Sequence, residues 1–257
     1  MSDTLNIKQS SLFSQTLILI KHRLSFSVVF SSVCSYLIAF DVFSLTTFLL
    51  LVIGGFFVVG SSNGFNQIIE RRRDALMTRT SSRPLPSGVM TVNQAIIICS
   101  LLSLLGLTML YVINFRTAIF GLISMIIYLA LYTPLKPITP LSVFFGAIPG
   151  AIPFMLGWVA VTDRFSIETG ILFMIQFFWQ FPHFWSLGWM LDDDYKKGGF
   201  KMLPTGERDQ STAFQIIVYT LWTILASITP VFGFTVKLVI SIPAAIAVGI
   251  SGLYMMI

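Results

Sequence analysis

Asn66, Glu70 and Asp74 stand at positions i, i+4 and i+8. On a helix that advances about 100° per residue, these positions drift only about 80° around the axis. One amide and two carboxylates then share a face over roughly 12 Å of length. Hard oxygen donors of this kind suit Mg2+, which commonly takes one or two carboxylates and fills its shell with water and phosphate oxygens. The same segment carries Arg71, Arg72, Arg73, Arg79 and Arg83. Guanidinium forks match phosphate oxygens two at a time. Carboxylates for a metal beside arginines for its anion make a fitting cradle for a metal-bound diphosphate. A plainer reading covers the arginines alone, since a cytoplasmic loop needs positive charge and Glu70 and Asp74 would serve as counter-ions. It is weaker for Asn66 and Glu70, which lie at the end of an apolar run, where polar groups are costly and usually functional.

A second cluster follows another apolar run. Asp192, Asp193 and Asp194 are adjacent, and three neighbouring carboxylates repel unless a metal or cation relieves them. The alternative is a solvated loop countered by Lys196 and Lys197. His183 precedes Asp194 by eleven residues, about three helical turns, so both face one way if the helix runs straight past Pro182. A histidine at this depth bonds a neighbouring helix, touches a substrate or ligates a haem iron. Trp179, Trp185 and Trp189 read as packing or interfacial rings that a large flat substrate would also use.

The elements that carry these residues are membrane helices. Of 257 residues, 55% are hydrophobic and 11% charged, against about 25% charged in soluble domains. Apolar runs reach the ~20 residues that cross a bilayer as helix. We expect eight spans, at roughly 25–43, 45–70, 92–113, 117–135, 140–161, 167–191, 213–234 and 237–257, and an all-α bundle, because no run alternates like a barrel strand. With the N-terminus cytoplasmic, Lys8, Lys21, Arg23, the five arginines of 71–83, Lys136, Lys196, Lys197, Lys201 and Arg208 all fall inside, leaving Arg116, Arg164 and Lys237 outside. The opposite orientation reverses that ratio. The net charge of +5 is thus explained by topology, and no nucleic-acid partner is expected. Cys34 and Cys99 lie inside apolar runs as buried thiols. The polar first ten residues give no sign of a removable signal peptide. Intramembrane acids and the Gly/Pro-rich stretch 146–157 also occur in transporters. Here the acids sit at helix ends, whereas ion coupling would place them near the midplane.

The motifs, taken in order, resemble those of UbiA-type intramembrane prenyltransferases, and within them the haem-farnesylating branch. The resemblance runs through Asn66-x-x-x-Glu70-x-x-x-Asp74-x-x-Met77-x-Arg79-Thr80-x-x-Arg83-Pro84-Leu85, then YTPLK at 132–136, GAIPGAIPFMLGWVAVT at 146–162, and WQFPHF followed by DDDYKKGGFKMLP. It covers most of residues 20–205. It implies a reaction at the cytoplasmic face of a bacterial membrane. Farnesyl diphosphate, held through Mg2+, loses diphosphate; a vinyl group of haem B attacks the allylic cation; water completes the side chain of heme O. An aromatic or quinone precursor is the alternative acceptor within the family. Heme A synthase or a terminal-oxidase assembly would receive the product. By the same resemblance Asn66, Glu70, Asp74 and Asp194 are catalytic. Asn66, Glu70, Asp74, Asp193 and Asp194 are the metal ligands, with Asp192 a further candidate. Arg79, Arg83, Tyr132, Lys136, His183 and Tyr195 bind substrate. Three features depart from the pattern. Glu70 stands where Asp is common, Arg72 stands where many members have another Asp, and eight spans replace the usual nine, as if the single domain 1–257 lacked the last helix.

Overall fold

The structure, a computed structural model, describes residues 11–229. The described chain is helical throughout, with α1 at Leu12–Leu19, α2 at His22–Ala39, α3 at Leu45–Asp74, α4 at Val92–Ile113, α5 at Phe115–Leu135, α6 at Ser142–Thr162, α7 at Ile167–Met190, α8 at Asp192–Lys197 and α9 at Gln210–Ile228. The first seven expected spans correspond to α2–α7 and α9. The eighth, 237–257, lies outside the described residues. Six of these helices are long and apolar enough to cross a membrane: α2, α3, α4, α5, α6 and α9. The seventh, α7, has 24 residues, but Gln176, Gln180 and His183 dilute its apolar character. This is a multi-pass integral membrane protein.

Local chemistry sets the boundaries. Ser44 caps α3 by accepting from Thr47 N at 3.3 Å. Thr91 and Gln94 form a reciprocal capping box at the start of α4. Asn114 ends α4 and caps α5 through Thr117 N at 2.7 Å, and Asp209 caps α9 through Thr212 N at 2.7 Å. Such caps satisfy the amide groups that a helix start leaves orphaned. The helix expected over 25–43 instead begins at His22 and stops at Ala39. The Tyr36 hydroxyl donates to the Ser44 carbonyl at 2.9 Å, closing the connection to α3.

Within a bilayer, helices associate by close packing of small residues and by polar contacts. Gly54 and Gly106 let α3 and α4 meet, because a Cβ on Gly106 would lie 2.8 Å from the Gly54 carbonyl oxygen. Pro153 inside α6 has no N–H to offer the carbonyl four residues back, and Ser124 of α5 donates to that Pro149 carbonyl at 3.3 Å. Ser32 of α2 donates to the Pro153 carbonyl at 2.7 Å. The interruption in one helix thereby fastens two others to it.

Two features place the site. At 30 residues, α3 is about 45 Å long, against a hydrocarbon core of ~30 Å, and its last turn carries Arg71, Arg72 and Arg73. The end of α5 winds as a π-helix over Ile127–Tyr132, a local widening frequent at functional sites. It brings Tyr128 and Tyr132 together, ring centroids 5.2 Å apart and planes tilted by 34°.

Candidate active site

The last turns of α3 put Asn66, Glu70 and Asp74 on its buried side, at 0, 5 and 1% exposure. Arg72 is on the exposed side. Each buried group meets a cation or polar group from another segment. Lys136, just after α5, sets its Nζ 2.8 Å from Glu70 Oε1, at an angle outside that of a hydrogen bond. Arg83 Nη1 donates to Asp74 Oδ2 at 2.8 Å. Lys21 Nζ donates to Asn66 Oδ1 at 3.4 Å, and Asn66 Nδ2 donates to Thr133 Oγ1 at 3.1 Å.

Lys21, a topology signal in the sequence, joins this cluster in the structure. The chain breaks between α1 and α2 with Lys21 in the left-handed region, φ 46°, which a residue with a Cβ adopts only when its surroundings hold it. Gln67 does so by donating to the Ile18 and Leu19 carbonyls at 3.1 and 2.7 Å, catching the frayed end of α1. The Lys21 ammonium then points at the acids. Burial, followed by the nearby Arg83 and Lys136 charges, lowers its pKa to about 7. Burial also disfavours the charged form of Lys136, but Glu70 outweighs it and leaves that pKa raised.

The acids retain capacity for a cation. Asp74 Oδ1 is buried with no hydrogen-bond partner, a costly state for a carboxylate oxygen. Among the described residues, no three His, Cys, Asp or Glu side chains gather as a complete metal cage. An ion beside Asp74 Oδ1 would complete its shell with water or phosphate oxygens, as Mg2+ commonly does.

The three adjacent aspartates diverge. Asp192 is buried beside Lys196 Nζ at 2.8 Å and Arg208 Nε at 3.2 Å. Asp193, its side chain 79% exposed, pairs with Arg208 Nη2 at 2.6 Å. Asp194 accepts from the backbone N–H of Thr78 at 2.7 Å and of Arg79 at 3.2 Å. What desolvation it suffers raises its pKa, but the two amides outweigh this and hold the carboxyl below its usual range. Arg73 Nη1 donates to the Gly198 carbonyl at 2.9 Å, and Lys201 N to the Lys136 carbonyl at 2.8 Å. The Arg79 guanidinium sits 5.9 Å from the Tyr195 ring. The Lys136 ammonium lies 4.5 Å from the Tyr132 ring and 5.5 Å from Phe200. The two acidic segments, far apart in sequence, are laced into one cluster at one end of the bundle. Replacing Asp194 with Ala is expected to speed amide hydrogen exchange at Thr78 and Arg79 by at least about tenfold while helix amides keep their protection. Unchanged exchange at those two amides would show that this contact does not order the turn.

Residues 27–257 match the UbiA prenyltransferase family. The chain belongs to that family. It is 61% identical to a protoheme IX farnesyltransferase of Christiangramia forsetii over 236 residues, covering 92% of this chain and 79% of that one. It is 56% identical to a protoheme IX farnesyltransferase of Flavobacterium psychrophilum over 250 residues, covering 96% and 83%. A UbiA homolog from Archaeoglobus fulgidus, solved with GPP and Mg2+, superposes with a TM-score of 0.79 at 20% identity over 94% of this chain and 86% of that one, a likeness of fold.

In this UbiA-family chain the departures at residues 70 and 72 acquire a geometry. The longer arm of Glu70 reaches Lys136, and Arg72 points away from the cluster, as its helical angle requires. His183 stacks on Trp179 with centroids 4.4 Å apart and planes 14° from parallel. Its neighbour Phe184 lies 5.9 Å from the Tyr132 ring, so His183 stands one residue from the aromatic wall beside Lys136. The helical spacing expected to align His183 with Asp194 does not carry across, because Leu191, at φ −109° and ψ 15°, separates α7 from α8.

Proposed function

We propose that this chain transfers the farnesyl group of farnesyl diphosphate to a vinyl group of haem B, forming heme O, with Mg2+ as cofactor. The observation that carries this reading is the buried acid face of α3, paired to Lys136 and Arg83, in a chain 61% identical to a named protoheme IX farnesyltransferase. Asn66, Glu70 and Asp74 would hold the ion. Bound Mg2+ supplies neutralisation of the diphosphate charge as the allylic C–O bond breaks. Lys21, Arg83, Lys136 and the Arg79 turn held by Asp194 hold the anion oxygens. The Tyr132 face, already beside an ammonium, stabilises positive charge on the allyl group. The apolar helices take the farnesyl tail and keep bulk water from the cation. Haem approaches from the side of His183, Phe184 and Tyr195, and the site opens to the cytoplasm. Product passes to a heme A synthase or a terminal-oxidase assembly.

Purified protein given haem B, farnesyl diphosphate and Mg2+ should yield heme O by mass spectrometry. Chelating the metal should stop turnover, and restoring Mg2+ should revive it. Haem B left intact, or a quinone precursor preferred in a competition assay, would overturn the assignment of acceptor.

A further inference from the structure

A second polar layer lies directly beneath the first. Ser25, Asn63 and Tyr128 each sit about one helical turn inward from Lys21, Asn66 and Tyr132 respectively. They come from α2, α3 and α5 and form a hydrogen-bonded chain. Tyr128 Oη donates to Asn63 Oδ1 at 3.4 Å. Asn63 Nδ2 donates to Ser25 Oγ at 3.2 Å, and Ser25 Oγ donates to the Ile20 carbonyl at 2.7 Å. Asn63 and Ser25 are buried, while Tyr128 is half-buried. Among the described residues, none of the three hydrogen-bonds to a charged side chain. Polar groups at this depth are expensive and usually functional, yet the anion site above makes no use of them.

Counting donors and acceptors shows what the layer can still hold. Tyr128 spends its one hydrogen on Asn63 and keeps a free lone pair on Oη; Asn63 spends one amide hydrogen on Ser25 and keeps the other. A spare acceptor on Tyr128 Oη and a spare donor on Asn63 Nδ2 therefore remain on neighbouring residues, which are joined only by the Oη–Oδ1 contact of 3.4 Å, long for a hydroxyl donor. A single water fits that valence, donating to Tyr128 Oη and accepting from Asn63 Nδ2.

We infer that Asn63 and Tyr128 hold the water that ends the reaction, an inference that rests on the farnesyl-transfer reading above. Bonding of farnesyl C1 to the terminal vinyl carbon uses the vinyl electron pair and leaves a cation on the carbon attached to the porphyrin. That cation has two fates. It loses a proton from carbon and becomes an alkene, or a water oxygen bonds to it and the product is the alcohol of heme O. Bulk water is unsuitable as the source, since it would also quench the allylic cation first formed. A water fixed one turn below the anion, beside the Tyr128–Tyr132 pair, is not free to quench the early cation as bulk water would, and it stays in the closed site until the later cation forms. Its proton passes to the departed diphosphate held in the layer above.

The ratio of dehydrated to hydrated farnesylated haem tests this directly. Wild type in water labelled with heavy oxygen should give heme O carrying the label. Tyr128→Phe, which keeps the ring and loses only the oxygen, should raise the alkene-to-alcohol ratio by about tenfold, the factor set by one hydrogen bond of ordinary strength. Asn63→Leu should shift the ratio in the same direction; should it fail to fold, Tyr128→Phe alone decides. A wild-type ratio in Tyr128→Phe overturns the inference. So does loss of both products together in well-folded protein, because the pair would then serve ionisation. Wild type that makes no farnesylated haem defeats the underlying reaction assignment instead.

Discussion

Asp74→Asn is expected to lower farnesyl transfer by about a thousandfold while the protein still purifies as a folded membrane protein. Losing one preorganised electrostatic contact to a transition state commonly costs two to three orders of magnitude, roughly 10²–10³, and Asp74 has two roles. Its Oδ2 orients Arg83 at 2.8 Å, and its buried Oδ1, with no hydrogen-bond partner, is the oxygen left open to a cation. Asparagine keeps the volume and one oxygen but loses the negative charge that attracts Mg2+. It also leaves Arg83 without its counter-ion, so a modest fall in melting temperature should accompany the lost activity. The informative measurements are heme O formation against Mg2+ concentration and a thermal melt on the same preparation. Arg72→Ala, on the exposed side of the same helix, is the matched control and should titrate with Mg2+ like wild type. Wild-type turnover in Asp74→Asn would remove Asp74 from the site.

That contrast between residues 72 and 74 was legible in the sequence because helical periodicity is a local property. Once α3 is known to continue past Glu70, the sides on which Arg72 and Asp74 lie follow from about 100° per residue. The spans were readable for a similar reason, since the apolar runs are long and the bilayer leaves few alternatives. Lys21 was not readable in the same way. A lysine at the head of an apolar span looks like a topology signal, and only the left-handed break at residue 21, held by Gln67 from another helix, turns it toward the acids.

Asp192, Asp193 and Asp194 mark a second limit. Adjacent residues leave a backbone in different directions, and which carboxylate meets which partner depends on where α7 stops. The break at Leu191 sends Asp194 to the Thr78–Arg79 amides and Asp193 to solvent and Arg208. The π-helical end of α5 was equally hidden. Over six residues its wider winding changes the periodicity too little to register against an α-helix, yet it aligns Tyr128 under Tyr132. The family motifs pointed to the residues of the candidate site, but the pairing of its charges, and the polar layer beneath, come from contacts between helices remote in sequence.

The same chemical change at two glycines should have opposite effects on stability. In the middle of a helix, Gly→Ala normally favours the folded state by up to about 1 kcal/mol. Gly170, in the first turn of α7, can take a smaller gain of the same sign, because nothing lies within 4 Å of where its Cβ would stand. Gly157 in α6 faces α2 across so close a crossing that a Cβ would collide with the Ser32 carbonyl oxygen and the Ser35 hydroxyl and lie 2.5 Å from Tyr36 N. Two of those three atoms belong to the α2 backbone, so no rotamer change relieves the clash and the helices must separate. Separation also stretches the bond from Ser32 to the Pro153 carbonyl, 2.7 Å long, and loosens the packing of Tyr36, Met155 and Leu156 in the core. Without a hydrophobic force to press helices together inside lipid, lost close packing is not replaced. Gly157→Ala should therefore cost at least about 3 kcal/mol, within the range of overpacked cores, and appear as a melting temperature in detergent lower by many degrees. Gly170→Ala should melt at or slightly above wild type. Equal melting of the two variants would mean that α2 and α6 do not cross at Gly157 as described.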